Sequence, residues 1–180
     1  LSGAIPASAD GEREAHLLRS DDGGASFSRR RVPLEDGERN LHLLAADPRD
    51  PDRALLRVTR RTTDARPERL LLTEDGGERF ATVLTARDLS DAAFSDDGAR
   101  AWATSRTLDG LFRSEDGGRT FENVTPGNLP CVEARGDALW VCADELRDAR
   151  SLARSLEGGA LETRLRFRDV VELPACPRCS

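Results

Sequence analysis

Ser114-Glu115-Asp116-Gly117-Gly118-Arg119-Thr120-Phe121 is a phrase that recurs along the chain. Ser20-Asp21-Asp22-Gly23-Gly24-Ala25-Ser26-Phe27 is a second full copy. Thr73-Glu74-Asp75-Gly76-Gly77-Glu78-Arg79-Phe80 is a near copy in which Arg79 replaces the hydroxyl residue. A worn fourth copy starts at Ser155 and keeps Gly158 and Gly159, with Glu157 for the aspartate and Glu162 where the aromatic should stand. Each copy follows a short apolar run, such as Leu70-Leu71-Leu72 or Leu111-Phe112. An apolar run, Asp-Gly-Gly and then an aromatic spell a β-hairpin. The glycines accept the positive φ of a tight turn. The aspartate accepts backbone N–H groups of its own turn, and the leading Ser or Thr adds a weaker bond of the same kind. The closing Phe is expected to drop between neighbouring sheets.

The copies begin at 20, 73, 114 and 155, at intervals of 53, 41 and 41 residues. About forty residues per repeat is the length of a four-stranded propeller blade. The expected fold is therefore all-β, a partial β-propeller of about three and a half blades in one domain over 1–180. Residues 1–33 form an incomplete blade lacking its innermost strand, and 41–86, 89–125 and 129–168 are blades. Residues 170–180 start a further blade or a Cys-bearing terminal segment. The longer first interval places a loop insertion at 62–68. The apolar run 41–46, ended by Asp47-Pro48, suits an inner strand buried on both faces. No amphipathic helix of normal length is legible. So few blades leave faces and edges open. The expectation is a monomeric segment of a longer polypeptide.

The pattern Ser-x-Asp-x-Gly-x-Thr-Phe resembles the Asp-box, or bacterial neuraminidase repeat (BNR). That repeat occurs in the β-propellers of sialidases, sortilin-type receptors, some glucan hydrolases and photosystem assembly factors. The match is complete at 20–27, with Ser26 in the Thr place, and at 114–121; it departs at Arg79 and decays in the fourth copy. The resemblance implies a structural role, away from any active site, for Ser20, Asp22, Gly24, Phe27, Thr73, Asp75, Gly77 and Phe80. The same holds for Ser114, Asp116, Gly118, Phe121, Ser155 and Gly159. Sialidase chemistry, as the resemblance implies it, needs a Tyr nucleophile, and the chain has no tyrosine. Other propeller glycosidases need two carboxylates across a cleft. Among 33 acids that requirement selects no residues.

A net charge of −6 and scattered basic residues argue against nucleic acid as a partner. All 27 basic residues are arginine; Lys, Met, Tyr and Gln are absent, a mark of nucleotide bias. No apolar run is long enough to span a membrane. Four cysteines without a catalytic Cys/His signature lean towards an oxidising compartment: secreted, periplasmic or envelope-exposed. A two-residue turn at Gly136-Asp137 sets Cys131 directly opposite Cys142, within disulfide range. Cys176 and Cys179 pair with each other or with partners further on; a four-cysteine zinc site needs two close pairs, and Cys131 and Cys142, with ten residues between them, are not one.

Other candidates have simpler explanations. Asp21-Asp22-Gly23 and Asp96-Asp97-Gly98 lack the ligand alternation of a calcium loop and read as turn residues. His16 and His42 sit in expected strands with no triad partners. Arg135-Gly136-Asp137 spells an adhesion tripeptide, yet a tight turn alone accounts for it. Trp102 and Trp140 read as core. No catalytic, cofactor-binding or metal residues are assigned, and no cofactor is called. The functional reading is a non-catalytic platform for a protein or glycan ligand. The alternative is a glycoside hydrolase, sialidase-like or glucan-active, with catalytic residues mostly outside 1–180. The apolar inner-strand stretches at 41–46, 92–94 and 129–132 favour the platform.

Overall fold

The computed structural model describes residues 2–5, 14–60, 66–156 and 160–170. Four antiparallel sheets follow one another in chain order. Sheet one holds β1 (Ser2–Ile5), β2 (Glu14–Arg19) and β3 (Ser28–Val32). Sheet two holds β4 (Glu38–Ala46), β5 (Ala54–Arg60), β6 (Glu68–Thr73) and β7 (Ala81–Ala86). Sheet three holds β8 (Leu89–Phe94), β9 (Ala101–Ser105), β10 (Leu111–Ser114) and β11 (Glu122–Thr125). Sheet four holds β12 (Cys131–Arg135), β13 (Ala138–Cys142), β14 (Leu152–Leu156) and β15 (Glu162–Leu165). Within each sheet the strands lie in chain order, and the first strands of neighbouring sheets, β4 with β8 and β8 with β12, approach one another. The chain is thus a partial β-propeller, with first strands inside and last strands outside.

Alternation builds the core. On β5, Leu55 faces sheet three while Leu56 and Val58 face sheet one, because successive side chains leave opposite faces of a strand. A fully buried leucine such as Leu55 or Leu70 contributes about 1.5–3 kcal/mol. Trp102, Leu111, Leu139 and Val141 fill the space between sheets three and four. A sheet with both faces covered reads as a nearly unbroken apolar run, and β6 with its three consecutive leucines does so.

Four features differ from the sequence reading. Phe80 and Phe121 pack between sheets, but Phe27 is 50 % exposed, because no described sheet lies on its side of sheet one. The inner strand β4 is not buried on both faces: His42 and Ala46 are exposed. In sheet four Glu162 is exposed, and Leu161, one residue earlier, packs against the core. Finally, a single helical turn, α1 (Glu145–Asp148), joins β13 to β14. The Asp144 side chain caps it, and Ala149 ends it in the left-handed conformation at φ 54°. Residues 61–65, most of the expected insertion, lie outside the described residues, as do Gly158, Gly159, Cys176 and Cys179.

Candidate functional site

The sheets have two ends. At one end lie the recurrent Asp-Gly-Gly corners; at the other lie the connectors between sheets and the loops between second and third strands.

The corners are closed systems. In sheet three, Ser114 Oγ donates to Asp116 Oδ1 at 2.7 Å and accepts from the Gly118 N–H at 2.8 Å. Asp116 then accepts the Thr120 N–H at 2.9 Å and the Thr120 hydroxyl at 2.7 Å. Sheet one repeats the pattern: the Ser20 hydroxyl donates to Asp22 at 2.8 Å, and Asp22 accepts from Ser26 N–H and Oγ at 2.9 and 2.6 Å. In sheet two, Thr73 donates to Asp75 at 3.1 Å, and the Arg79 guanidinium supplies the bond a hydroxyl makes elsewhere, at 3.1 Å. These bonds favour the ionised carboxylates. The Ser26 hydroxyl, followed by the Ser26 N–H, draws Asp22 down to about 2, and Thr120 holds Asp116 lower still. In the fourth corner Ser155 is buried, while Gly159 lies outside the described residues.

Two glycines explain why the corners need that residue. Gly76 and Gly117 have φ of 67° and 73°, and a Cβ on either would strike a guanidinium from the preceding sheet, Arg19 or Arg53. Arg19 also binds Asp52, and Arg53 lies against buried Asp47 and donates to the Gly98 carbonyl at 2.8 Å. The corners therefore lock sheet to sheet, and their polar groups are spent on that task. An open depression of about 530 Å³ lies beside the sheet-two corner, with Leu72, Phe80 and Ala81 among its lining and Glu74 and Arg79 at its rim.

The opposite end carries longer side chains. Glu38 is buried at the start of β4, and Arg69 grips it with a fork, Nε and Nη2 each at 2.7 Å. Arg60 Nη2 adds a bond at 3.2 Å and the Glu35 N–H another at 2.6 Å. Glu38 in turn raises the Arg69 guanidinium above its ordinary value. Arg57 forks onto Glu68 at 2.9 and 3.1 Å. In sheet four, Glu145 accepts from Ser151 Oγ and from the Phe167 and Arg168 N–H groups, and Ser151 first among these holds it low.

Asp91, on inner strand β8, differs from these acids. It accepts the Ala92 and Val132 N–H groups at 2.9 and 3.1 Å, yet burial pushes its carboxyl up, with the Glu133 charge adding to the rise. Among the described acids with a resolved shift it is the one displaced upward. His42 of β4, Asp91 of β8 and Cys131 of β12 face the second strand at matching positions, opposite Arg57, Thr104 and Cys142. Sequence reasoning missed Glu38 and Asp91. A carboxylate inside an otherwise apolar inner strand was the available signal for Asp91.

The remaining candidates are placed plainly. Cys131 and Cys142 form a disulfide with Cα atoms 5.0 Å apart. Trp102 is buried, and Trp140 is half-buried with Arg154 stacked 5.7 Å from its ring centroid. His16 lies 3.7 Å from Glu14, and His42 is exposed. Asp97 accepts from Ser95 and Ala99, as a turn aspartate does, and Gly136 N–H donates to Asp96 at 3.0 Å. No cluster of three metal-ligating side chains occurs among the described residues. No helix among them is long and apolar enough to cross a membrane.

No family model matches the chain, and no curated protein matches it in sequence. Solved structures do match its fold. A GH74 enzyme from Niastella koreensis superposes with a TM-score of 0.53 at 19 % identity, over 89 % of this chain and 29 % of that one. YCF48 bound to D1 peptide gives 0.53 at 15 % identity, over 85 % and 48 %. TolB from Acinetobacter baumannii gives 0.59 at 17 % identity, over 90 % and 40 %. All three are β-propeller proteins. The chain spans between 29 % and 48 % of their lengths. They include an enzyme and a protein bound to a peptide, so the shared fold does not choose between those functions.

Proposed function

We propose that this chain is a non-catalytic binding platform for a protein or glycan, built from repeats of the Asp-box kind. One observation carries the reading: three carboxylates at the connector end, Glu38, Glu68 and Glu145, are committed to architecture. Glu38 and Glu68 are held by arginine forks, and Glu145 is held by a hydroxyl and two backbone donors. Glu38, with four donors, has its lone-pair sites filled, and the two bonds on Glu68 and three on Glu145 fix those carboxylates in place rather than leaving them free to meet a substrate. The Asp-box assignment is supported by the shared hydrogen-bond scheme of the three described corners. A secreted, periplasmic or envelope location is supported by the Cys131–Cys142 disulfide.

A second reading rests on Asp91. A half-buried carboxyl with a raised pKa on an inner strand has the property a glycosidase general acid needs. In that reading the chain is part of a glycoside hydrolase whose second carboxylate lies elsewhere. A glycan panel scored for both retention and released sugar separates the two. The platform predicts no released sugar from any glycan. Release that disappears in Asp91→Asn would overturn it in favour of the hydrolase.

A further inference from the structure

The outer strands of the sheets differ in how they guard their free edges. An edge strand leaves every second backbone N–H and C=O unpaired, and proteins blunt such edges with charged residues or proline. β3 carries Arg29, Arg30 and Arg31; β11 carries Glu122 and is followed by Pro126; β15 carries Glu162 and Arg164. β7 reads Ala81-Thr82-Val83-Leu84-Thr85-Ala86, with no charge and no proline. Thr82 and Thr85 are exposed, and Val83 and Leu84 are half-buried against the core between sheets two and three. Sheet two is covered on both faces by its neighbours, so what β7 leaves unpaired is its outer edge. Among the described residues, no backbone group outside β6 bonds to it.

The start of the same strand borders the open depression of about 530 Å³ lined by Leu72, Phe80 and Ala81. Two of its charged groups are already spent. Glu74 accepts from Arg119 at 2.5 and 3.4 Å, and Asp75 accepts from Thr73 and Arg79. Arg79 uses its Nε for that bond at 3.1 Å, and its Nη groups have no partner among the described residues. In corners one and three a short hydroxyl, Ser26 or Thr120, holds the aspartate from the same position. Corner two alone of the three sets a guanidinium there, beside the one uncharged edge.

We propose that β7 takes an extended peptide of a partner protein as an added strand, with an apolar side chain in the depression and a neighbouring carboxylate on Arg79. The inference rests on the platform reading and narrows its ligand to a peptide. Main-chain bonds to the open edge hold the peptide, while the depression and the guanidinium select it. A carboxylate matches the guanidinium fork, whereas an ammonium beside Arg79 is repelled. The register shift between Leu70 and Leu71 sets Val83 into β7 as an extra residue. Such a bulge bends the edge, which suits a short segment better than a long flat pairing with a second copy. β11 and β15 bear a like shift, so the missing charge is what sets β7 apart.

Fluorescence anisotropy with short labelled peptides of Ser, Thr and Val tests this, each carrying Leu or Phe next to Asp, Asn or Lys. The chain should bind the Asp peptides most tightly and the Lys peptides least. Arg79→Ser restores the hydroxyl of the other corners and so keeps the turn. It should cost the Asp peptides about 5-fold, the scale of an exposed ion pair, and leave the Asn peptides unchanged. N-methylation of alternate peptide amides should abolish binding in one of the two alternating sets and spare it in the other, because only every second amide faces β7. Hydrogen exchange should slow at 81–86 on binding. Protection elsewhere, equal tolerance of both methylated sets, or binding by no peptide of the set would each overturn the inference. So would a preference for Asp that Arg79→Ser leaves intact. Protection at 81–86 that follows chain concentration instead of peptide would assign the edge to a second copy and overturn it too. None of these results touches the platform reading, which falls on sugar released in the glycan panel.

Discussion

The turns at the corner end and the forks at the connector end are held by different means. At the corner end, the bonds that shape each turn join residues two to five apart and use short side chains, as in Ser114, Asp116 and Thr120. At the connector end, bonds join residues far apart in sequence, as Arg69 reaches Glu38 across 31 positions and Phe167 reaches Glu145 across 22. A short-range corner forms wherever its phrase occurs, so it can be copied from blade to blade. A long-range fork depends on two particular partners arriving together. The first kind of device makes the repeat; the second makes each connector different.

Three experiments sharpen that contrast. The largest effect is expected from Glu38→Ala, which removes the buried carboxylate that Arg69 forks onto and leaves Arg60 and Arg69 the more exposed Glu35 and backbone carbonyls. Removing one partner of such a buried group costs about 3–5 kcal/mol, read as a fall in the urea midpoint at constant slope. A loss no greater than that of an exposed control would mean the connector end is not held by its forks. Asp116→Ala is expected to cost about 1–3 kcal/mol, because the Arg119 and Thr120 N–H groups lose their acceptor at an edge that water reaches. Hydrogen exchange should then quicken at 114–121 while the connector end keeps its protection. Spread of the effect to Glu145 and its neighbours would dissolve the distinction between the ends.

The smallest effect is an acid titration. Asp22 has an ordinary value of 3.8 and a folded value of about 2, and Asp75 and Asp116 are shifted in the same direction. A depressed carboxylate stabilises the fold fully above its unfolded pKa and loses that contribution as pH falls through the folded value. The corners should therefore loosen between about pH 4 and pH 2. Asp91 is raised and works in reverse: its contribution is present below its ordinary value and is lost as pH rises through the folded one. Asp91→Asn should therefore flatten the decline in stability on the mildly acidic side and leave the loss below pH 4 in place. Thermal midpoints across that range check both signs.

The same contrast decides which features are legible in the residues alone. The propeller fold is legible because the corner phrase carries its own hydrogen-bond partners and returns at blade spacing. The Gly136-Asp137 turn is legible for the same reason, since it dictates the register that faces Cys131 with Cys142. Glu38 is not, because any of 27 arginines is chemically able to grip it and only the fold selects Arg60 and Arg69. The helix α1 spans four residues, too few to display a period. The exposure of Phe27 is invisible because its local sequence matches that of its buried counterparts; the difference lies in the neighbour, not in the phrase. At the candidate site, Asp91 sits in plain view within an expected inner strand, and only its burial beside Glu133 sets it apart from the other acids.

The ionic joints of this molecule are built without a single lysine. A lysine ammonium gives up its proton near pH 10, whereas a guanidinium keeps its charge beyond pH 12. Arg69 in the fork at Glu38 and Arg19 between sheets one and two, both raised further by the carboxylates they hold, therefore keep their charge throughout the alkaline range. The fold has an acid limit written into its corners and no matching limit of titration on the basic side.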